Sequence, residues 1–321
     1  MGWKKHISKK HLIIFSSALI LILGVIFMTL ILNNSITLFN GSTSANSIVR
    51  GKGNAKIQAE NRIRIEKLNF YEDVKQPNSF RGLKARAKRK VDKIVHRGDK
   101  DIPILMYHYV DYSPTNEMCV PKEKFAEQMR FLKDDGYTTL SLDEVYDYFS
   151  NNAPIPEKPI VITFDDGYVD NYTNAYPILK QLGFKATIFD ITSTIDTNNK
   201  FINSNQIKEL DKNGVRIEAH TVTHPRLSNL SYDEQYKELR DSKKRLENIL
   251  GREVKYLAYP YGEYNDDTIK ALEQLEYKVA VTTFYGRARK SDGFYNLSRH
   301  AISSKYEIEY FKELVKGPKK K

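Results

Sequence analysis

From about residue 100 the chain alternates short apolar runs with longer amphipathic stretches, and four of those stretches end on a glycine. IPILMYHYV (102–110), YTTL (137–140), KPIVITF (158–164), KATIFDI (185–191), VRIEAH (215–220), VKYLAY (254–259) and KVAVTTF (278–284) have the β-branched and aromatic make-up of strands. Between them lie helical patterns at 121–136, 174–183, 204–214, 231–251 and 265–275. Gly136, Gly183, Gly214 and Gly251 supply helix stops, and Ser231 supplies an N-cap. Repeated strand–helix units of this length imply an α/β fold, a parallel sheet with helices outside, open or closed as a barrel.

The rest of the chain bounds what this domain is attached to. A composition that is 40% hydrophobic, with 21 Tyr and 15 Phe, excludes disorder throughout. Cys119 is the sole cysteine, so neither an internal disulfide nor a cysteine-based zinc site is available. The net charge is +11, but it is unevenly placed. Residues 1–49 carry four lysines and no acid, residues 50–100 carry 16 Lys/Arg against 6 Asp/Glu, and residues 101–321 are left slightly acidic. A basic nucleic-acid-binding face on the domain is therefore not expected.

Residues 12–32, LIIFSSALILILGVIFMTLIL, contain no charged side chain. As a helix at about 1.5 Å per residue they span roughly 30 Å, the thickness of a bilayer core. Four lysines precede this run, and Arg50 is the first charge after it. The positive-inside rule then predicts a single-pass anchor in the cell membrane, a cytoplasmic tail at 1–11 and an exported remainder. The run is longer than the apolar core of most cleavable signals, although TSA at 43–45 leaves cleavage open. Residues 33–100 read as a flexible basic stem, a solvated spacer or a contact for anionic wall polymer or lipid headgroups. A folded domain follows at 101–315, and a basic tail at 316–321.

In parallel α/β folds, functional groups collect at the carboxyl ends of strands. TFDDG closes one strand with Asp165 and Asp166. Adjacent carboxylates there point different ways, so one can bind a metal while the other stays free as a base, although Asp-Asp-Gly is also a common turn. HTVTH closes another strand with His220 and His224. Two histidines plus one carboxylate such as Asp166 form an open metal site with room for water and substrate. YPYG closes a third strand with Tyr261, and His108 lies late in the first.

At these motifs the sequence resembles the polysaccharide deacetylases, the NodB-homology domain of carbohydrate esterase family four, over about 102–302. TFDDG and HTVTH in this order are specific to the family, and AYPYG (258–262) matches its third motif in part. The resemblance implies a distorted (β/α) barrel of about seven strands and hydrolysis of N-acetyl groups on a surface polysaccharide. It implies Asp165 as catalytic base and Asp166, His220 and His224 as ligands of a divalent metal, zinc first, with Co2+, Ni2+ or Fe2+ as alternatives. It further implies that the Tyr261 amide holds the oxyanion and that Leu297 lines the acetyl pocket.

Two departures stand out. Ala258 occupies the place where many members carry an arginine that orients the base, and Arg299 replaces the histidine of a Leu-x-His motif. A subgroup including poly-N-acetylglucosamine deacetylases is similar in both respects and draws its acid from an early YH motif. LMYHYV matches that motif, which assigns the acid role to His108 with His300 as rival, and makes Arg299 the residue that orients Asp165.

Overall fold

The computed structural model describes residues 100–317. The anchor at 12–32, most of the stem and the end of the basic tail lie outside the described residues. Among the described residues no helix is long and apolar enough to cross a membrane.

The elements follow in chain order: β1 (Ile104–Tyr107), α1 (Lys122–Asp134), β2 (Thr138–Thr139), α2 (Leu142–Asn151), β3 (Pro159–Asp166), α3 (Tyr176–Leu182), β4 (Ala186–Asp190), α4 (Ser204–Lys212), β5 (Val215–Ala219), α5 (Tyr232–Leu250), β6 (Tyr256–Ala258), α6 (Asp266–Gln274), β7 (Val279–Tyr285), β8 (Leu297–Ala301) and α7 (Ile308–Lys316). All neighbouring strands are parallel, as connections through helices require. β1 pairs with both β8 and β3, so seven strands close into a ring, and the two-residue β2 joins only the start of β3. The barrel is uneven. β4 and β5 share five residue pairs, whereas β5 and β6 share the single pair Ala219–Leu257.

Strand alternation divides the core in two. Leu105, Tyr107, Ile160, Ile162 and Phe164 face outward into the cluster shared with the helices. Ile104, Val161, Phe189, Ala258, Val281 and Leu297 fill the barrel interior. Helix α2 belongs to that inner cluster through Leu142, Val145, Tyr148 and Phe149, which ties it to the interior of the ring.

The sequence pattern misses α2, β8 and α7. α2 opens with a capping box, Ser141 bonding the Glu144 amide and Glu144 bonding back. β8 is short and polar: of its inward residues Leu297 joins the inner core, while Arg299 pairs with Asp165. β3 also runs two residues further than the apolar run at 158–164, carrying both aspartates on its ladder. A π-turn at Asn171–Ala175 runs into α3 and takes the first two residues of the helix expected at 174–183.

Candidate active site

Asp165 continues the inward face of β3 after Val161 and Thr163, in register with Phe189 of β4. It is 2% exposed and meets Arg299, which is fully buried. The guanidinium grips the carboxylate with both terminal nitrogens, Nη1 and Nη2 each at 2.7 Å. Two of its other donors go to the Thr282 carbonyl at 2.8 Å and the Thr163 hydroxyl at 3.1 Å. Burial alone would raise the Asp165 carboxyl, but the Arg299 charge outweighs it and holds the group below the usual carboxylate range. At neutral pH Asp165 is an oriented carboxylate.

Asp166 does not follow the alternation. Its φ of 73 lies in the left-handed region. Oδ1 sits 3.3 Å from Nε2 of His220 and 3.5 Å from Nε2 of His224. That oxygen is buried yet makes no hydrogen bond of acceptable geometry, so it faces the two imidazoles as an unspent acceptor. One ligand atom from each of Asp166, His220 and His224 falls within 4.8 Å of the others. An unspent carboxylate oxygen and two imidazole nitrogens converging on one point is a donor set that fits a divalent ion. Burial raises Asp166, but the facing imidazoles prevail and bring its pKa to about 2.

His220 Nδ1 lies 2.7 Å from the Ala258 carbonyl. Donating there leaves Nε2 with its lone pair turned toward Asp166. His224 packs edge-on against His220, with ring centroids 4.8 Å apart, and against Tyr261 at 4.7 Å. The Arg226 guanidinium covers the Tyr261 ring at 4.1 Å and pairs with Glu263.

Left-handed backbone concentrates here. Of seven non-glycine residues with positive φ among the described residues, four are Asp166, Thr221, His224 and Tyr261. Such conformations persist only where the surroundings impose them, and they gather at functional sites.

His108 directly follows β1 and is partly buried. It is close enough for its charge to bear on Asp165, Asp166 and His224. The Asn171 side chain donates to its carbonyl at 2.8 Å. His300 is elsewhere. It pairs with the outward-facing Leu105, so its ring lies on the face of β8 opposite Arg299, packed edge-on against Tyr285 at 4.7 Å. Burial and the nearby Arg287 push its pKa down to about 4, and neither ring nitrogen has a partner. Leu297 is fully buried in the inner cluster, two residues below Arg299 on the same face of β8. Tyr261 is half exposed.

Sequence reasoning passed over Asp190, the last residue of β4, which pairs in register with Asp166. It is fully buried, and neither carboxylate oxygen has a partner. Burial and the Asp166 charge push its pKa well up. An acid closing the apolar run KATIFD, at the same end of the sheet as the other motifs, was the available signal.

A closed parallel barrel carrying a buried carboxylate–arginine pair beside three converging ligand atoms defines an α/β barrel with a metal-ready site. The model of the polysaccharide deacetylase family matches residues 152–280. YxkH of Bacillus subtilis (strain 168), which bears the name of the same family, is 41% identical over 202 residues, 63% of this chain and 71% of its own. The poly-β-1,6-N-acetyl-D-glucosamine N-deacetylase of Staphylococcus aureus is 28% identical over 226 residues, 66% of this chain and 76% of its own. Among solved structures, the deacetylase PplD of Streptococcus pyogenes, in complex with acetate, superposes with a TM-score of 0.64 at 38% identity, covering 66% of this chain and 97% of that one. A Bacillus cereus polysaccharide deacetylase gives 0.61 at 30% identity, covering 68% and 69%. The chain belongs to the polysaccharide deacetylase family.

Proposed function

We propose that this protein hydrolyses the N-acetyl group of N-acetylglucosamine-type units in a cell-surface polysaccharide, with Asp165 as base and Asp166, His220 and His224 holding a divalent metal, zinc in the first instance. The observation that carries the reading is the separation of two carboxylates one residue apart. Asp165 is spent on Arg299, while Asp166 is left unspent before two imidazoles. A divalent ion held there would supply Lewis acidity toward the amide carbonyl and lower the pKa of water.

The remaining chemistry belongs to the chain. Asp165, kept ionised and aimed by Arg299, takes a proton from the attacking water. The Tyr261 amide, presented by a left-handed turn, donates to the oxygen that becomes negative. His108 gives a proton to the departing amine. Leu297 contributes to the apolar floor beneath the acetyl methyl. The products are acetate and an amino sugar, and that amine adds a positive charge to the polymer.

Similarity to the Staphylococcus aureus enzyme supports a β-1,6-linked N-acetylglucosamine polymer as substrate. Peptidoglycan N-acetylglucosamine and an N-acetylated sugar linking a wall polysaccharide to peptidoglycan complete the set to be compared. The charge-free run at 12–32 supports anchoring in the membrane with the catalytic domain outside, and the basic stem suits an anionic wall polymer. Acetate release by the zinc-loaded full-length chain on these three substrates tests the proposal. Release abolished by chelator and restored by zinc is expected. No release from any of the three, with metal bound, would count against the substrate class.

A further inference from the structure

The loop 220–224 brings two of the three candidate ligands to the site, and it does so in an unfavourable conformation. Thr221 has φ 66 and His224 has φ 60, so left-handed residues bracket the segment. Between them lie Val222 and Thr223. Their amides both donate to one oxygen, Oε2 of Glu238, at 2.8 and 2.9 Å. The Thr223 hydroxyl donates to the other oxygen, Oε1, at 2.8 Å. Glu238 projects from α5, an element that provides no residue of the site described above. Its carboxylate thus meets three donors of the metal loop. The carbonyl side of the loop is held by the segment after β4, with the Thr192 amide on Thr221 at 3.1 Å, the Thr192 hydroxyl on the same carbonyl at 3.4 Å and the Ser193 amide on Val222 at 3.0 Å. The His224 amide closes the turn on the Thr221 hydroxyl at 3.0 Å.

We propose that Glu238 is a positioning residue for the metal centre: it holds the strained loop in the one conformation that points His220 and His224 at Asp166, and thereby sets metal affinity. The inference rests on reading Asp166, His220 and His224 as the ligands. The physical argument is preorganisation. Two amide donors with no acceptor would leave the loop free to relax its left-handed residues, and the imidazoles would then have to be brought back together by the ion itself.

The test is zinc affinity of the full-length chain by competition with a chromophoric chelator, together with the visible spectrum of the cobalt-loaded protein. The wild-type protein is expected to bind one ion per chain. Glu238→Ala is expected to bind zinc about tenfold or more weakly, the scale of a lost supporting interaction around a ligand, with an altered cobalt spectrum. Glu238→Gln, which keeps the shape and one acceptor oxygen, is expected to recover part of the affinity, and it carries the comparison if the alanine variant folds poorly. A variant set with wild-type zinc affinity and an unchanged cobalt spectrum overturns the inference, even if activity falls. A wild-type protein that binds no stoichiometric ion sinks the ligand assignment itself, and this inference with it.

Discussion

Arg299 is the largest fully buried side chain among the described residues, and its charge has one carboxylate to meet. Removing it would leave Asp165 ionised and unpaired in the barrel interior. Breaking a buried pair from one side costs about 3–5 kcal/mol. Arg299→Met is therefore expected to lose stability on that order in denaturant unfolding. The pH dependence has a definite sign. In the wild type the Asp165 pKa is depressed, so its contribution to stability is present above the unfolded-state value and is lost as pH falls through the folded one. In the variant, only the weaker influence of the His220 and His108 charges still opposes burial, and the carboxyl takes up its proton at higher pH. The acid limb of the pH–rate profile should move upward, and an unmoved limb would show that Asp165 is not the titrating base. Arg299→Lys keeps charge but not the two-nitrogen grip, and should not restore the profile. At this scale the sequence was informative wherever a motif combined residue type with spacing: Asp165, Asp166, His220, His224 and His108 all come to one end of the barrel. It was blind to Asp190 and Glu238, single acids whose meaning lies in what packs against them.

Among the elements, the exit of β3 is the most constrained. Gly167 has φ 77, and a Cβ there would overlap Oδ1 of Asp190. Gly136, after α1, has φ 82 with nothing within 4 Å of its hypothetical Cβ. Gly136→Ala should cost only backbone strain, whereas Gly167→Ala should cost that strain plus about 1–3 kcal/mol of overpacking. Thermal melts of the two variants give the comparison, and equal losses would mean that Asp190 yields freely. Most helices were legible because their caps are local: Ser231 with Glu234, and the left-handed Gly183 and Gly251. The Ser141–Glu144 capping box of α2 was equally readable but follows almost directly on the two-residue β2. β8 was not readable as a strand, because LSRHA alternates an arginine and a histidine whose burial is set by strands far away in sequence.

For the molecule as a whole, the ring is weakest between β5 and β6. Glu218, fully buried on β5, compensates for the missing ladder there. Its Oε2 accepts from the amides of Lys255 at 2.9 Å and Tyr256 at 3.0 Å, and its Oε1 from Arg252 at 3.0 Å. Glu218→Ala strands two amide donors and should destabilise the fold by several kcal/mol, on the order of 3. Faster hydrogen exchange at Lys255 and Tyr256 should accompany the loss, and unchanged exchange would refute the seam. Barrel closure was beyond the sequence pattern, which left open sheet and barrel equally allowed; the β1–β3 and β1–β8 pairings decide it. The central claim is that Asp165 performs the chemistry while Asp166, His220 and His224 hold the metal. Its most direct test measures acetate release and bound zinc together on wild type, Asp165→Asn and His220→Ala. Asp165→Asn is expected to release no acetate while keeping full zinc, and His220→Ala to lose both. Normal acetate release from Asp165→Asn, or full zinc in His220→Ala, would contradict it.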